Sequence, residues 1–258
     1  MEEVTRGLAG QRHRTDNCAI RYNVSDRCAA TGQRPSTDPQ ITSPADVIYR
    51  AGAAGVQCWS RNTLGKIQML PMSRWMGGPT ASEADRRFDD RVMNSCRTGP
   101  VLDVGCGPGR MTASLSQRGC ASLGIDVSQA AIEITRQRGG AAMRRDVFDR
   151  LPGEGYWQHV LLADGNIGIG GDPRRILARA GGLIHRGGTV IVEVDEDPNV
   201  VSHEVLRWET TGHVGQWFSW SRVGISALSG LAGTVGLVVH EVVATEARTV
   251  AVLSHVSA

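Results

Sequence analysis

Lysine is almost missing from this chain. Lys66 is the only one, so nearly all of the 28 basic residues are arginine, and they scatter along the sequence rather than cluster. Set against 26 acids they leave a formal net charge of +2, too small to imply a polyanionic partner. The six cysteines contain no CxxC pair and no regular spacing. That excludes the usual zinc and disulfide frameworks, predicts no metal site, and favours reduced thiols in the cytoplasm. No apolar run approaches membrane-spanning length. The first residues, MEEVTRGLAGQRHRT, lack the apolar core of a secretory signal. A cytoplasmic protein with no membrane partner is the expectation.

What is present is enough apolar sequence, 41% of 258 residues, for one sizeable core with an appendage. Residues 1–40 are polar and without periodicity, and are expected to be a flexible leader. Residues 41–96 read as an N-terminal cap region of helix and strand. In it, Ser43 caps a helix with Pro44 at its first position and Asp46 in its first turn. GKIQMLPMSRWMGG then reads as a short strand ending at a Pro-Met turn, and TASEADRRFDDRVMNSC as an amphipathic helix with Phe88, Val92 and Met93 on one side.

From residue 97 onward the rhythm is that of alternating strands and helices. Strands are predicted at VLDVG, ASLGID, AAMRRD, HVLLAD, GTVIVEVD, LVVHEVVA and TVAVLSHV. Helices are predicted at GRMTASLSQRG, SQAAIEITRQRG and DPRRILARAGGLIHRG, the last stopping at Gly187-Gly188. This spacing predicts an α/β fold: a doubly wound, mostly parallel seven-stranded sheet with helices on both faces. The last two strands are joined too closely for a parallel crossover, so they should form an antiparallel hairpin at the sheet edge.

The decisive stretch is VLDVGCGPGR, residues 101–110. A buried strand ends in three glycines at alternate positions, Gly105, Gly107 and Gly109. A dinucleotide fingerprint, GxGxxG, wants its third glycine one residue later, and a phosphate-cradling P-loop ends in Gly-Lys-Ser/Thr. Neither pattern is here. Asp103, two residues before the first glycine, would repel a pyrophosphate but suits a ligand bearing an ammonium and a sulfonium.

On these residues the chain resembles the class I, Rossmann-like methyltransferases that use S-adenosylmethionine, and more closely their bacterial small-molecule type. The resemblance covers residues 97–258. It implies that Asp103, Gly105, Cys106, Gly107 and Gly109 cradle the methionine part of the cofactor. Asp126 and Val127, after the second strand, would meet the ribose, and Asp146 and Val147, after the third, the adenine. Asp164 and Gly165, after the fourth, would face the methyl-transfer side, with Asp164 also a catalytic candidate.

The acceptor is less legible. The Asn/Asp-Pro-Pro-aromatic motif of many amino methyltransferases is replaced by Asp164-Gly165-Asn166-Ile167, and no cysteine follows a proline as C5-pyrimidine transfer requires. No nucleic-acid partner is expected. Half of the six tryptophans fall in HEVLRWETTGHVGQWFSWSRVG. Trp208, Trp217 and Trp220, with Asn166, His213 and Arg222, are the expected walls of an acceptor pocket. Trp59 and Trp75 are expected to close its other side. His203 is the candidate general base. The expected function is methyl transfer to a small molecule by in-line displacement. The alternatives left open are a cofactor-binding regulator or scaffold without turnover, and a macromolecular acceptor.

Overall fold

A computed structural model describes residues 43–96, 98–245 and 248–256; the expected leader at 1–40 lies outside them. The chain runs α1 (Pro44–Ala53), β1 (Cys58–Asn62), β2 (Ile67–Met69), α2 (Met72–Met76), α3 (Glu83–Asn94), β3 (Val101–Val104), α4 (Arg110–Gln117), β4 (Ser122–Asp126), α5 (Gln129–Gln137) and β5 (Ala142–Arg144). It continues through β6 (Trp157–Leu162), α6 (Pro173–Leu183), β7 (Ile184–Val194), β8 (Val201–Thr210), β9 (His213–Val214), β10 (Phe218–Val223), α7 (Ile225–Gly233), β11 (Leu237–Ala244) and β12 (Thr249–His255).

Seven strands form the main sheet in the order β11-β12-β7-β6-β3-β4-β5. The pairs among β3 to β7 are parallel, while β12 runs antiparallel to both β7 and β11. Strand alternation sorts the core into two faces. Leu102, Val160, Val190 and Ala251 cluster with Ile176 and Leu177 of α6 and Leu228 of α7. Their sequence neighbours Val101, Leu161, Ile191 and Val250 cluster instead with Phe88 and Val92 of α3 and Leu115 of α4. The doubly wound sheet and its edge hairpin are as the sequence predicts. The order reverses at β3, which has β4 on one side and β6 on the other, so a crevice opens beyond their carboxyl ends.

Two features depart from the sequence reading. Helix α6 ends at Leu183, before the predicted Gly187-Gly188 stop, because Ile184 is already extended and opens β7 opposite Trp157. Gly188 serves a different purpose: a Cβ there would lie 2.8 Å from the Trp157 carbonyl oxygen, so it permits the close approach of β6 and β7. The second departure is larger. Strands β10, β8, β1 and β2, with β9 on β8, make a separate five-stranded antiparallel sheet. Its strands come from both the 41–96 region and the aromatic segment near the C-terminus, and the short helix α2 follows the Pro-Met turn.

Helix α1 starts with the expected cap. The Ser43 side chain accepts from Ala45, and Asp46 accepts from the Ser43 N–H in return. Asp46 also reaches out of its helix, accepting the Ala130 N–H at 2.9 Å and the Ser128 hydroxyl. It thereby ties α1 to the N-terminus of α5, where a carboxylate is favoured. Among the described residues no helix is long and apolar enough to cross a membrane.

Candidate active site

The glycine turn is shaped by its neighbours. A Cβ on Gly105 would sit 2.7 Å from the Asn166 amide nitrogen, so only glycine lets the loop after β6 close over the end of β3. That closure is fixed by two hydrogen bonds from Asn166 Nδ2, to the carbonyls of Val104 at 2.8 Å and Gly105 at 3.1 Å. Gly109 has another task. A Cβ there would meet Thr135 at 2.4 Å, so it lets the start of α4 lie against α5, and it lines neither of the two cavities above the turn.

The four strand-end acids gather along this edge in different states. Asp103 is 2% exposed, and its carboxylate accepts the Thr112 hydroxyl at 2.6 Å without a salt-bridge partner among the described residues. Burial pushes it up to about 6. Asp126 is held by two backbone donors, Gly107 N–H at 3.0 Å and Ser128 N–H at 2.8 Å, and burial again lifts it to about 6. Asp146 accepts the Phe148 N–H at 2.9 Å. Asp164 adopts a φ of 51°, the one positive value at a described residue other than glycine.

Asp164 is not a free base. Arg110 binds one of its oxygens and Arg248 the other, the latter at 3.1 Å. Arg110 also binds Asp89. Arg248 bonds Glu193 twice, at 2.7 and 2.8 Å, and Glu193 accepts the Asp164 N–H at 2.6 Å. Although burial opposes its ionised form, these two arginines hold Asp164 below the ordinary carboxylate range. The network joins α3, α4, β6, β7 and the edge hairpin beneath the site.

Two cavities adjoin above the turn. The larger, about 540 Å³, is lined by Asp126, Val127, Asp146, Val147, Phe148 and Trp217. The smaller, about 310 Å³, is lined by Asp103, Cys106, Gly107, Asp164, Gly165 and Arg222. Tyr49, Gly105, Asn166, Trp208, Phe218 and Trp220 line both.

The antiparallel sheet roofs the smaller cavity, and its register decides which side chains point in. Facing residues on paired antiparallel strands share a side. Trp208 pairs with Ser60, Leu206 with Asn62 and Phe218, and Glu204 with Trp220; all of these line the cavity. The intervening residues belong to the other side. His203 pairs with Ser221, is exposed, and meets the Gly171 carbonyl oxygen at 3.0 Å. It lines neither cavity, so the candidate base is displaced by one residue from the inward-facing Glu204. Trp59 likewise faces away and donates to Glu209 at 2.6 Å, while Trp75 does line the cavity. His213, on β9, lines neither. Arg222 lines the cavity but is paired with Asp195 at 2.7 and 2.8 Å.

Sequence reasoning missed Tyr49, Glu204 and the arginine network. Tyr49 comes from α1, packs edge-on to Trp208 with ring centroids 6.1 Å apart, and brings its hydroxyl to the glycine turn. Glu204 shares strand parity with Leu206 and Trp208, but only the pairing of β8 with β1 and β10 shows that this parity faces the cavity.

Comparison with known proteins follows this geometry. Residues 101–188 match the methyltransferase domain family. Trans-aconitate 2-methyltransferase of Paracidovorax citrulli is 29% identical over 111 residues, 42% of this chain and 43% of that protein. The Rhodococcus jostii protein of the same name is 30% identical over 109 residues, 42% of each. The chain thus spans less than half the length of these curated relatives. Among solved structures, a SAM-dependent methyltransferase from Bacteroides fragilis, in complex with S-adenosyl-L-homocysteine, superposes with a TM-score of 0.69 at 17% identity. That match covers 84% of this chain and 97% of the other. Residues 101–188 therefore resemble a methyltransferase domain, within a chain whose fold is that of the Bacteroides fragilis methyltransferase.

Proposed function

We propose that this protein is an S-adenosylmethionine-dependent methyltransferase acting on a small molecule. The observation that carries the reading is the pair of adjoining cavities meeting at the glycine turn, each edged by a buried carboxylate without a salt bridge among the described residues. The donor set fits the cofactor. Asp103, without a cationic partner, would hold the ammonium. Asp126 would accept the ribose hydroxyls with the lone pairs its two backbone donors leave free. Asp146, Val147 and Phe148 would border the adenine, and the Arg175 guanidinium, which lines the same cavity, lies 3.7 Å from the Phe148 ring centroid.

When bound, S-adenosylmethionine supplies an activated methyl group on a sulfonium. The chain's own contribution is positioning. The arginine network fixes the Asp164-Gly165 turn, Asn166 fixes that turn to β3, and the aromatic roof excludes water. Orienting an acceptor about 3 Å from the reacting carbon accounts for most of the acceleration such a reaction needs. Asp164, held by two arginines, acts as an electrostatic anchor rather than a proton acceptor. The region 41–96 acts as a cap, supplying Tyr49 and Trp75. The trans-aconitate named in the curated relatives is not carried over, since the match covers less than half of either protein.

Isothermal calorimetry tests the cofactor assignment. S-adenosylmethionine and S-adenosylhomocysteine should bind with micromolar-class affinity, and NAD should not. Comparable NAD binding would overturn it. Formation of S-adenosylhomocysteine in the presence of acceptor separates an enzyme from a cofactor-binding regulator.

A further inference from the structure

The charges lining the smaller cavity leave a net negative excess once internal ion pairs are set aside. Four arginines reach it, and all are committed to internal carboxylates: Arg74 to Asp85, Arg110 to Asp89 and Asp164, Arg222 to Asp195, and Arg248 to Glu193 and Asp164. The remaining cation, Lys66, is exposed at the rim. Besides Asp103 at the glycine turn, two lining carboxylates, Glu196 and Glu204, have no salt bridge among the described residues. Glu196 is exposed. Glu204 is half-buried within the roof, receiving only a 3.4 Å contact from the Ser202 hydroxyl. Arg222 feels the Glu204 charge but gives its hydrogen bonds to Asp195.

The same wall carries a continuous run of rings. Centroids lie 6.3 Å apart from Tyr49 to Trp75, 5.9 Å from Trp75 to Trp208, 5.3 Å from Trp208 to Phe218 and 6.2 Å from Phe218 to Trp220. Trp220 stands directly opposite Glu204 in the ladder. An unpaired carboxylate set among aromatic faces suits a cation with an apolar or flat body, through one ion pair and cation–π contact. A polycarboxylate finds no uncommitted arginine here and meets two negative side chains.

Resting on the methyltransferase reading, we propose that the acceptor is an amine, and that Glu204 is the carboxylate that recognises it. The amine arrives as an ammonium and gives up one proton to solvent. Its nitrogen lone pair then forms the new N–C bond as the S–C bond breaks, the electron pair of that bond passing to sulfur. The product leaves as an N-methylammonium.

The experiment incubates the full-length protein with methyl-labelled S-adenosylmethionine and a small-molecule extract, then classifies the labelled product. It should be retained by a cation exchanger at neutral pH and keep its label in mild base. A neutral or acidic product, or label released by base as methanol from an ester, overturns the amine assignment while leaving the transferase reading intact. Glu204→Gln should lower labelling at least tenfold, Glu204→Asp should restore part of it, and calorimetric affinity for S-adenosylhomocysteine should stay within twofold of wild type in both. Labelling unaffected by Glu204→Gln removes this residue from recognition. Absence of S-adenosylhomocysteine binding in the wild type sinks the parent reading instead.

Discussion

Arg248 faces Glu193 through two hydrogen bonds, of 2.7 and 2.8 Å, with both side chains almost wholly buried. The same guanidinium reaches Asp164 and lies 3.9 Å from the centroid of the Phe88 ring. Replacing Arg248 with methionine leaves Glu193 with no cation and Asp164 with only Arg110. Breaking a buried pair from one side costs about 3–5 kcal/mol. For a chain of this size that is a fall in melting temperature of roughly 6–20 °C, measurable by calorimetric scan. A change under 2 °C would mean the network contributes little.

Tyr49→Phe isolates a single hydroxyl. Its hydrogen bond finds no partner among the described residues, yet it stands at the junction of the two cavities. Removing it should leave the melting temperature unchanged and weaken cofactor binding by about two- to twelvefold, the equivalent of one ordinary hydrogen bond of about 0.5–1.5 kcal/mol. Equal affinity in titration would assign Tyr49 to packing alone.

Asp126→Asn should weaken S-adenosylmethionine binding about tenfold to a hundredfold, through loss of a charge-assisted bond of about 1.5–3 kcal/mol. A carboxylate that served only the ligand would have no effect on folding. The structure adds one, because both oxygens accept backbone N–H groups. An asparagine must turn its NH₂ towards one of them, at a cost of about 1–3 kcal/mol. Unchanged affinity in a variant that melts early would show that Asp126 serves the turn and not the cofactor.

Cofactor affinity should depend on pH. Burial lifts Asp103 and Asp126 from 3.8 to about 6, and the cofactor's ammonium and ribose hydroxyls need the ionised forms. Affinity should therefore climb as pH rises through about 6 and level off roughly one unit above. Stability runs the other way in that window. The folded chain holds protons the unfolded chain has lost, so these two groups subtract stability as pH rises through it. Calorimetric titrations at pH 5, 6 and 7.5 check the first statement; a flat series contradicts it.

His203→Ala should change neither methyl transfer nor cofactor affinity by more than twofold. The imidazole lies against Gly171 on the outer side of β8. A tenfold loss of turnover would return it to the site.

The main sheet was legible because strand periodicity and loop length are local signals. Apolar runs ending in Asp103, Asp126, Asp146 and Asp164 mark strand ends, and parallel connectivity brings those ends to one edge. The roof was not legible. CWSRN is too short and too polar to announce a strand, and its partner lies in a distant segment. Without that pairing the parity of β8 is unknown, and His203 cannot be told from Glu204. The arginine network was hidden for a related reason: Arg248 and Asp164 are 84 residues apart, and nothing local to either marks the other.

The pairing of β1 with β8 joins residues 150 positions apart, as at Trp59 and Glu209. Closing so long a loop costs about 4 kcal/mol in chain entropy by the logarithmic rule, and contacts of this range slow folding. The pairings of the main sheet all join strands closer in sequence than that, as at Val104 and Ile125 or Val101 and His159. Assembly should then proceed from the glycine turn outward, with the aromatic roof docking late, after the chain has been made to β10. The same asymmetry gives the roof a lower opening free energy than the strands beneath it. Its amides should exchange with deuterium ahead of those of β3 and β6, and opening of that kind is a route for a bulky acceptor to enter and its product to leave.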